Sequence, residues 1–284
     1  MEFSYKINTP FYYNSFRNIF QNNNIYRGNH FRGGRNRGRA SYHKEYRNDS
    51  YYLFLNKTNP TYKQQFHNSY NKNNSLDRIK KYISKTYPYL IDINSKNSNI
   101  LKEINTDCKF FIIKSFEEED IHKSIKYGIW SSSKTGNKTL SEAFNITKER
   151  SSFVYLFFSG NQSGRLAGVA KMKSECDFNR IFDFWTIDNK WQGLFDVEWI
   201  FIKNVPLKEF KDIIIKMKDG VVEPITWARD TQEIPFEQAK TMLNIIEKYE
   251  YKNSILENFE YYDMRQNNYE KNKDIQKNQE IPYD

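Results

Sequence analysis

The sequence contains few cysteines and no long hydrophobic run. Its two cysteines, Cys108 and Cys176, lie far apart and form no Cys-x-x-Cys pair, which argues against a disulfide framework and against a zinc site. No signal peptide is recognisable, so we expect reduced thiols in the cytosol or the nucleus. No run of about 18 apolar residues occurs, so we expect no membrane-spanning helix and no membrane partner.

Residues that perform catalysis or bind metals are also scarce. Only four histidines occur, and His122 is the single one within the segment that we expect to fold. The sequence has no phosphate-binding loop, no nucleophile elbow and no zinc-deaminase pattern. We therefore expect a protein that is not an enzyme and that requires neither a metal nor another cofactor.

Hydrophobic residues make up only 38% of the chain, and the mean hydropathy is −0.87. Aromatic residues, by contrast, reach 17%, so rings supply much of the apolar content. The net charge of +9 is unevenly distributed: residues 1–100 contain 17 Lys and Arg against 5 Asp and Glu, whereas residues 101–284 contain 27 against 30. A basic first third indicates an arm that binds polyanions rather than a uniformly basic protein.

Residues 1–100 are rich in Asn, Tyr, Ser, Lys and Arg and show no apolar periodicity, so we expect a disordered basic arm. Residues 27–39, RGNHFRGGRNRGR, form an Arg/Gly tract within it. Its arginines could bind phosphates and stack on bases, or the tract could be a solvated linker; the interleaved tyrosines favour contact with RNA. A short helix over Leu76–Tyr89 is the only regular element that we predict in the arm.

The best-defined pattern is Lys114–Trp130, KSFEEEDIHKSIKYGIW. Ser115 and Glu118 have the spacing of a capping box, which predicts a helix that begins there. Ile121 and Ile125 share one face of that helix and are expected to contact a core. The helix should end at a glycine, after which the tryptophan is either part of the core or a platform for a ligand.

Short apolar segments follow each other irregularly after residue 108. We predict strands at Lys109–Lys114, Phe153–Ser159, Arg165–Ser174 and Phe195–Lys203, a helix at Lys138–Ile146, a hairpin turn at Asp219–Gly220 and a long helix from Pro235. Because the strands are uneven and do not alternate strictly with helices, we expect an α/β fold with a small mixed β-barrel surrounded by helices. Residues 261–284 are polar and are expected to form a flexible tail.

All five tryptophans lie in this folded part, four of them before residue 200. Trp130, Trp185 and Trp191 fall at element ends or in loops, whereas Trp199 falls within a strand and is expected to be core. Trp185 and Trp191 bracket a polar loop that has no other need for two large rings. The three loop tryptophans could form a box around a flat or methylated ligand, although spacing alone also allows a role in the core.

Four segments carry a resemblance to a known family: FFIIKSFEEEDIHKSIKYGIWSS, SSFVYLFFSGNQSGRLAGVAKMKS, KWQGLFDVEWIFIKNVP and ARDTQEIPFEQAKTML. Together, and in this order, they resemble the YTH domain, which reads N6-methyladenosine in RNA. The resemblance covers about Cys108–Glu257, predicts a domain over residues 105–260 and is strongest to the cytoplasmic branch of the family. It implies a curved, mixed β-barrel ringed by helices.

The resemblance also implies roles for individual residues. Trp130, Trp185 and Trp191 match the walls of an aromatic cage around the methylated base. Ser131 matches a residue that hydrogen-bonds the adenine edge, and Asp120 matches a residue that faces a ring nitrogen of the base.

Further matched positions lie around the cage. Lys114 and Ser115 match contacts at the mouth of the pocket, and Phe116 stands where the cytoplasmic branch has a tyrosine. Arg229 and Asp230 match an arginine that contacts phosphate and its neighbour.

Two other differences from that branch are visible. The loop from Trp185 to Trp191 is one residue longer, and Trp227 replaces a small polar residue, where it could be a stacking surface or part of the core. The resemblance predicts binding of N6-methyladenosine-containing RNA, with mRNA-regulatory effector proteins as further partners, in the cytoplasm or alternatively in the nucleus. Two alternatives stay open: a single-stranded RNA binder that ignores methylation, and a scaffold that binds peptides.

Overall fold

The computed structural model describes residues 72–96, 99–187, 190–216, 220 and 222–279. The helices, numbered in chain order, are α1 Lys72–Thr86, α2 Ile93–Lys96, α3 Ile100–Glu103, α4 Glu118–Tyr127, α5 Lys134–Glu149, α6 Phe236–Lys248 and α7 Phe259–Gln279. The strands are β1 Lys109–Ser115, β2 Ile129–Trp130, β3 Val154–Gly160, β4 Arg165–Met172, β5 Phe195–Pro206, β6 Ile214–Lys216, β7 Val222–Pro224 and β8 Gln232–Ile234. Short 3₁₀ turns occupy Pro88–Leu90, Leu207–Phe210, Ile225–Trp227 and Ile255–Asn258.

Six strands form one mixed sheet in the order β2-β5-β4-β3-β1-β8. β1 and β3 pair in parallel at its centre, and the other neighbours pair antiparallel. All seven residues of β3 are buried, as expected for a continuous apolar strand that is covered on both faces. The predicted fold class, an α/β fold with a mixed β-barrel surrounded by helices, is confirmed. Its sheet has β2 and β8 at its two ends.

The two faces of the sheet carry separate hydrophobic cores. In β1, Phe111 and Ile113 point into the core that α4 and α5 cover, whereas Phe110 and Ile112 point into the core that α6 covers. Alternate residues of one strand necessarily face opposite sides. The cavity described below lies on the α4 side.

A bulge in β5 changes which face its residues occupy. Regular alternation along the predicted strand Phe195–Lys203 predicts that Phe195, Val197, Trp199 and Phe201 share one face, and the first three do pack in the α4-side core. Trp199 and Phe201 pair with consecutive residues of β4, so Ile200 is an extra residue in the ladder. Phe201 therefore lies in the opposite core, and the prediction is wrong for this side chain.

The helical part of the chain begins earlier than predicted. Residues 72–100 were assigned to the disordered arm, but α1, α2 and the start of α3 lie there, and Ile83, Tyr87 and Leu90 are buried in the α4-side core. The predicted helix over Leu76–Tyr89 corresponds to α1 and the 3₁₀ turn after it. The Arg/Gly tract and the rest of residues 1–71 lie outside the described residues.

The C-terminal segment also differs from its prediction. Helix α7 continues to Gln279, although residues 261–284 were expected to form a flexible tail. Phe259 is fully buried at its start, and Asp263 and Gln266 are buried one and two turns later. Beyond Phe259, the buried side chains in the described part of the helix are polar, which is why hydrophobic periodicity did not reveal it.

The start of α4 is not a capping box. Ser115 remains in β1, where it pairs with Gly160, and its hydroxyl donates to the carbonyl of Glu117 at 2.6 Å. Glu117 occupies the N-cap position without a side-chain bond, and Glu118 pairs with Arg165 instead. The predicted glycine end is confirmed: Gly128 closes the helix in the left-handed conformation at φ 64°.

The remaining sequence predictions agree with the structure in type. The predicted helix at Lys138–Ile146 is part of the longer α5, capped by Ser133, and α6 starts directly after Pro235. β6 and β7 pair antiparallel, as a hairpin requires, and Asp219 of the predicted Asp219–Gly220 turn lies outside the described residues. None of the helices in the described ranges is both long and apolar enough to cross a membrane.

Candidate functional site

A small cavity opens between the start of α4, the end of β1 and two loops. Its empty volume is about 280 Å³, including open space at its mouth. Its lining residues are Lys114, Ser115, Phe116, Asp120, Trp130, Ser131, Ser132, Trp185, Trp191 and Asp230. Nine of the ten predicted site residues line this cavity; Arg229 does not.

Two indoles form its inner wall. The rings of Trp130 and Trp185 meet edge to face, with centroids 5.6 Å apart and planes at 74°. Behind them, Phe158 packs on Trp130 at 5.0 Å and Phe182 packs on Trp185 at 4.9 Å. Both indoles are only 5% exposed, so their orientation is set by the core before any ligand arrives.

Aromatic rings and a cation surround the mouth. The ammonium group of Lys190 lies 4.3 Å from the ring centre of Phe116 and 4.7 Å from that of Trp191. Both distances are within the range of a cation–π contact, about 6 Å. Lys190 therefore places positive charge beside the entrance without lining the cavity.

Asp120 fastens one cavity wall to another. Its two carboxylate oxygens accept hydrogen bonds from the backbone N–H and the hydroxyl of Thr186, at 2.9 and 2.7 Å. Thr186 directly follows Trp185, so helix α4 holds the loop that carries this indole. Burial raises the pKa of the Asp120 carboxyl above its ordinary value, while Lys123 and Thr186 oppose that rise.

Asn137 is a site residue that the sequence predictions missed. It is fully buried in the first turns of α5. Its side-chain oxygen accepts from the Ser132 N–H at 2.8 Å, and its amide nitrogen donates to the Gln192 carbonyl at 2.8 Å and to the Ser131 hydroxyl at 3.3 Å. One amide thus joins the loop after Trp130 to the loop around Trp191. The available signal was one polar residue, Asn137, directly before the predicted helix Lys138–Ile146.

Asp230 joins the third side of the cavity. Its carboxylate accepts from the Lys114 N–H at 2.8 Å and from the Ser132 hydroxyl at 3.0 Å. These bonds position the end of β1 against the loop after Trp130. The adjacent Arg229 is exposed at the surface, and burial lowers the pKa of the Lys114 ammonium group at the cavity wall.

Aromatic rings and polar side chains make up the lining of the cavity. Within the described ranges, no cluster of three or more His, Cys, Asp or Glu side chains could hold a metal ion. The indole nitrogens of Trp130 and Trp185 have no hydrogen-bond partner among the described residues. The cavity combines apolar rings with a few fixed polar groups, which suits recognition of a flat molecule.

Comparison with known proteins identifies the domain. Residues 108–247 match the family model of the YT521-B-like domain, YTH. The chain belongs to the YTH domain family. It is 42% identical over 186 residues to human YTH domain-containing family protein 2 and 43% identical over 184 residues to the mouse family protein 1. These matches cover 64% of this chain but 31% and 32% of those proteins, so the chain spans about a third of the length of the curated relatives it matches.

Two solved YTH domains are also similar to this chain. The YTH domain of Zygosaccharomyces rouxii MRB1 protein in complex with N6-methyladenosine RNA is 37% identical, and the match covers 51% of this chain and 90% of that one with a TM-score of 0.46. The Pho92 YTH domain in complex with m6A is 34% identical, with 52% and 91% covered and a TM-score of 0.49. The family resemblance predicted from the sequence is confirmed by the family-model match and by the sequence identity to the relatives.

Proposed function

We propose that this protein binds single-stranded RNA by enclosing the N6-methyladenine base of one nucleotide in the cavity of its YTH domain. The observation that carries the proposal is the cavity lined by Trp130, Trp185 and Trp191 together with fixed polar groups. Relatives with the same domain are described in complex with N6-methyladenosine RNA. The role of the site is binding rather than catalysis.

Binding begins when one nucleotide leaves the base stack and its base enters the cavity. Stacking of the base on an indole contributes about 1–3 kcal/mol whether or not the base is methylated. Because Trp130 and Trp185 are already held by neighbouring rings, little freedom is lost in forming the stack. Ser131 and Asp120 supply the polar groups that face the edge of the base.

Discrimination comes from the buried methyl group. Enclosing one methyl in apolar surroundings contributes about 0.8 kcal/mol. An unmethylated adenine would instead bury an unpaired N–H donor, which costs about 1–3 kcal/mol. The two effects together predict a preference for methylated RNA of about tenfold to several hundredfold.

Preference for the sequence around the base should be weak. We assign Arg229 and Lys114 to the phosphate backbone, and backbone contacts carry no information on base identity. The basic first third of the chain adds affinity that depends on salt. We also infer a cytoplasmic location and effector partners that regulate mRNA, by analogy with the cytoplasmic branch of the family.

The test uses the full chain and two short RNAs that differ only by one N6-methyl on a central adenosine, titrated at fixed salt. We expect clear preference for the methylated strand, and we expect Trp185→Ala to abolish it. The matched control is Tyr261→Ala, which removes an aromatic side chain that is 49% exposed and lies outside the cavity, and it should leave the preference intact.

Other outcomes would select the alternatives. Tight but equal binding of both strands, unaffected by Trp185→Ala, would indicate a single-stranded RNA binder that ignores methylation. Failure to bind either RNA would favour a peptide-binding scaffold. Either result would refute the proposed recognition of the methyl group.

A further inference from the structure

A second, wider groove adjoins the cavity, and Lys114 lines both. The turn Gly160–Gly164 between β3 and β4 lines one side. Leu207, Thr226 and Ala228 line the other. The groove has an empty volume of about 810 Å³ including open space, and none of its lining residues is acidic. A strand that leaves the cavity can therefore enter this groove without meeting a carboxylate in its lining.

Trp227 stands at the edge of this groove. Its chain neighbours Thr226 and Ala228 both line the groove, whereas its own side chain is 69% exposed. It belongs to neither hydrophobic core, so the core interpretation offered by the sequence is wrong. Among the ring–ring contacts of the described residues, none involves this indole. Isolated exposed apolar residues are common, but a large ring beside a groove that continues a binding site has a specific use.

The backbone under Trp227 is held in place. Ile225 is buried, and its N–H donates to the Ile213 carbonyl at 2.8 Å. Ala228 is buried too, and its N–H donates to the Ile225 carbonyl at 3.0 Å. The exposed indole thus extends from a fixed 3₁₀ turn, so little backbone freedom would be lost when a ligand binds.

We propose that Trp227 and this groove form a second nucleotide subsite, in which a base adjacent to the one in the cavity stacks on the indole. The inference rests on the proposed function, because the RNA strand is already anchored in the cavity. Lys114 lies where the cavity and groove meet, and Arg229 follows Trp227 by two residues, so positive charge is available near the connecting phosphates. Stacking on an exposed ring tolerates any base, so this subsite strengthens binding without selecting a sequence.

The experiment compares the full chain with its Trp227→Ala variant on two ligands, a nine-nucleotide RNA with one central N6-methyladenosine and the free N6-methyladenosine nucleoside. We expect the variant to bind the RNA about tenfold more weakly, as loss of one base stack predicts. Binding of the nucleoside and the ratio between methylated and plain RNA should not change. Trp227→Phe should retain most of the affinity, and Tyr261→Ala should match the unmodified chain.

Abasic nucleotides identify the stacked base. Removing the base at one position beside the methylated adenosine should weaken binding to the unmodified chain, and Trp227→Ala should cause no further loss on that abasic RNA. Additive losses at every flanking position, or unchanged RNA affinity in Trp227→Ala, would overturn the subsite and leave Trp227 to a different partner. Failure of the proposed function would look different, because the unmodified chain itself would then show no preference for the methylated strand.

Discussion

Two buried aspartates hold helix α4 in different ways. Asp120, near its start, accepts two hydrogen bonds from Thr186, and Lys123 lies 3.7 Å away. Asp263, on α7, lies beside the later turns of α4. It accepts hydrogen bonds from the Lys126 ammonium group at 2.7 Å and from the hydroxyls of Tyr82 and Tyr87. The carboxylate of Asp120 lines the cavity, whereas that of Asp263 is buried between α4 and α7, away from the cavity lining.

The pKa values of these two carboxyls shift in opposite directions. Burial raises the pKa of Asp120, because its partners only partly compensate for lost solvent. Burial acts in the same sense on Asp263, but hydrogen bonds from Lys126, Tyr82 and Tyr87 and the nearby His122 imidazole lower the pKa of its carboxyl well below the usual range. The carboxylate of Asp263 therefore accepts several hydrogen bonds and stabilises the fold. The carboxylate of Asp120 lines the cavity, where it can accept a further hydrogen bond from a ligand.

The largest expected effect follows from Asp263→Asn. The change removes the charge that pairs with Lys126 and one acceptor for the tyrosine hydroxyls, so we expect the free energy of unfolding to fall by about 3–5 kcal/mol in urea titrations. The matched control is Asp107→Asn, whose pair with Arg150 is exposed and should contribute no more than about 1 kcal/mol. Equal effects of the two changes would contradict the structural role of Asp263.

A smaller and different effect is expected for Asp120→Asn. The amide can replace one acceptor but not both, so Thr186 loses a hydrogen bond and the loop carrying Trp185 loosens. We expect stability to fall by about 1 kcal/mol and affinity for methylated RNA to fall about fivefold. Glu119→Gln serves as control, because that carboxylate pairs with Lys123 and Arg265 outside the cavity. A loss of stability without weaker binding of methylated RNA would contradict a role of Asp120 in binding.

The smallest effect is a pH dependence centred on His122. Burial lowers the pKa of its imidazole despite the carboxylate of Asp263 at 3.2 Å, and Lys126 and Lys123 act in the same direction as burial. A lowered pKa means that the unfolded chain binds the proton more readily, so stability should fall as pH drops below about 6.5. The lowered pKa of Asp263 adds a further loss below about pH 4, whereas the raised pKa of Asp120 opposes it.

The measurement is the unfolding midpoint between pH 7.5 and 5. We expect His122→Gln to flatten the decline, whatever its own stability at pH 7.5. An identical decline in both proteins would assign the pH dependence to other groups.

The sequence was most informative where local pattern and side-chain chemistry coincide. Short sequence segments were enough to predict the apolar strands β1 and β3, the end of α4 at a glycine and the three tryptophans of the cavity. The capping-box prediction is wrong because Ser115 is the last residue of β1 and pairs with Gly160 of β3. This pairing between strands outweighs the local preference of the Ser-x-x-Glu pattern for a helix start. The predicted face of Phe201 is wrong because one inserted residue in β5 moves the side chains after it to the opposite face of the sheet.

The parts that could not be predicted depend on contacts between distant residues. Asn137 acts through one buried amide, which leaves no periodic pattern in the sequence. Helix α7 begins with the buried Phe259, but its further packing includes hydrogen bonds that Asp263 accepts from Tyr82 and Tyr87, more than 170 positions away. Such pairing becomes visible only once the sheet has brought both ends of the domain together.

The link between α1 and α7 has a consequence for synthesis of the protein. The hydroxyl of Tyr82 donates to Asp263 at 2.6 Å across 181 positions of sequence. At about 5–20 residues per second, a ribosome needs roughly 10 to 40 s to make the intervening chain. During that interval α1 has no α7 to pack against, and the Asp263 carboxylate that pairs with His122 and Lys126 has not yet been synthesised. The nascent domain therefore passes through a period with its apolar surface uncovered, when chaperones would be most useful to it.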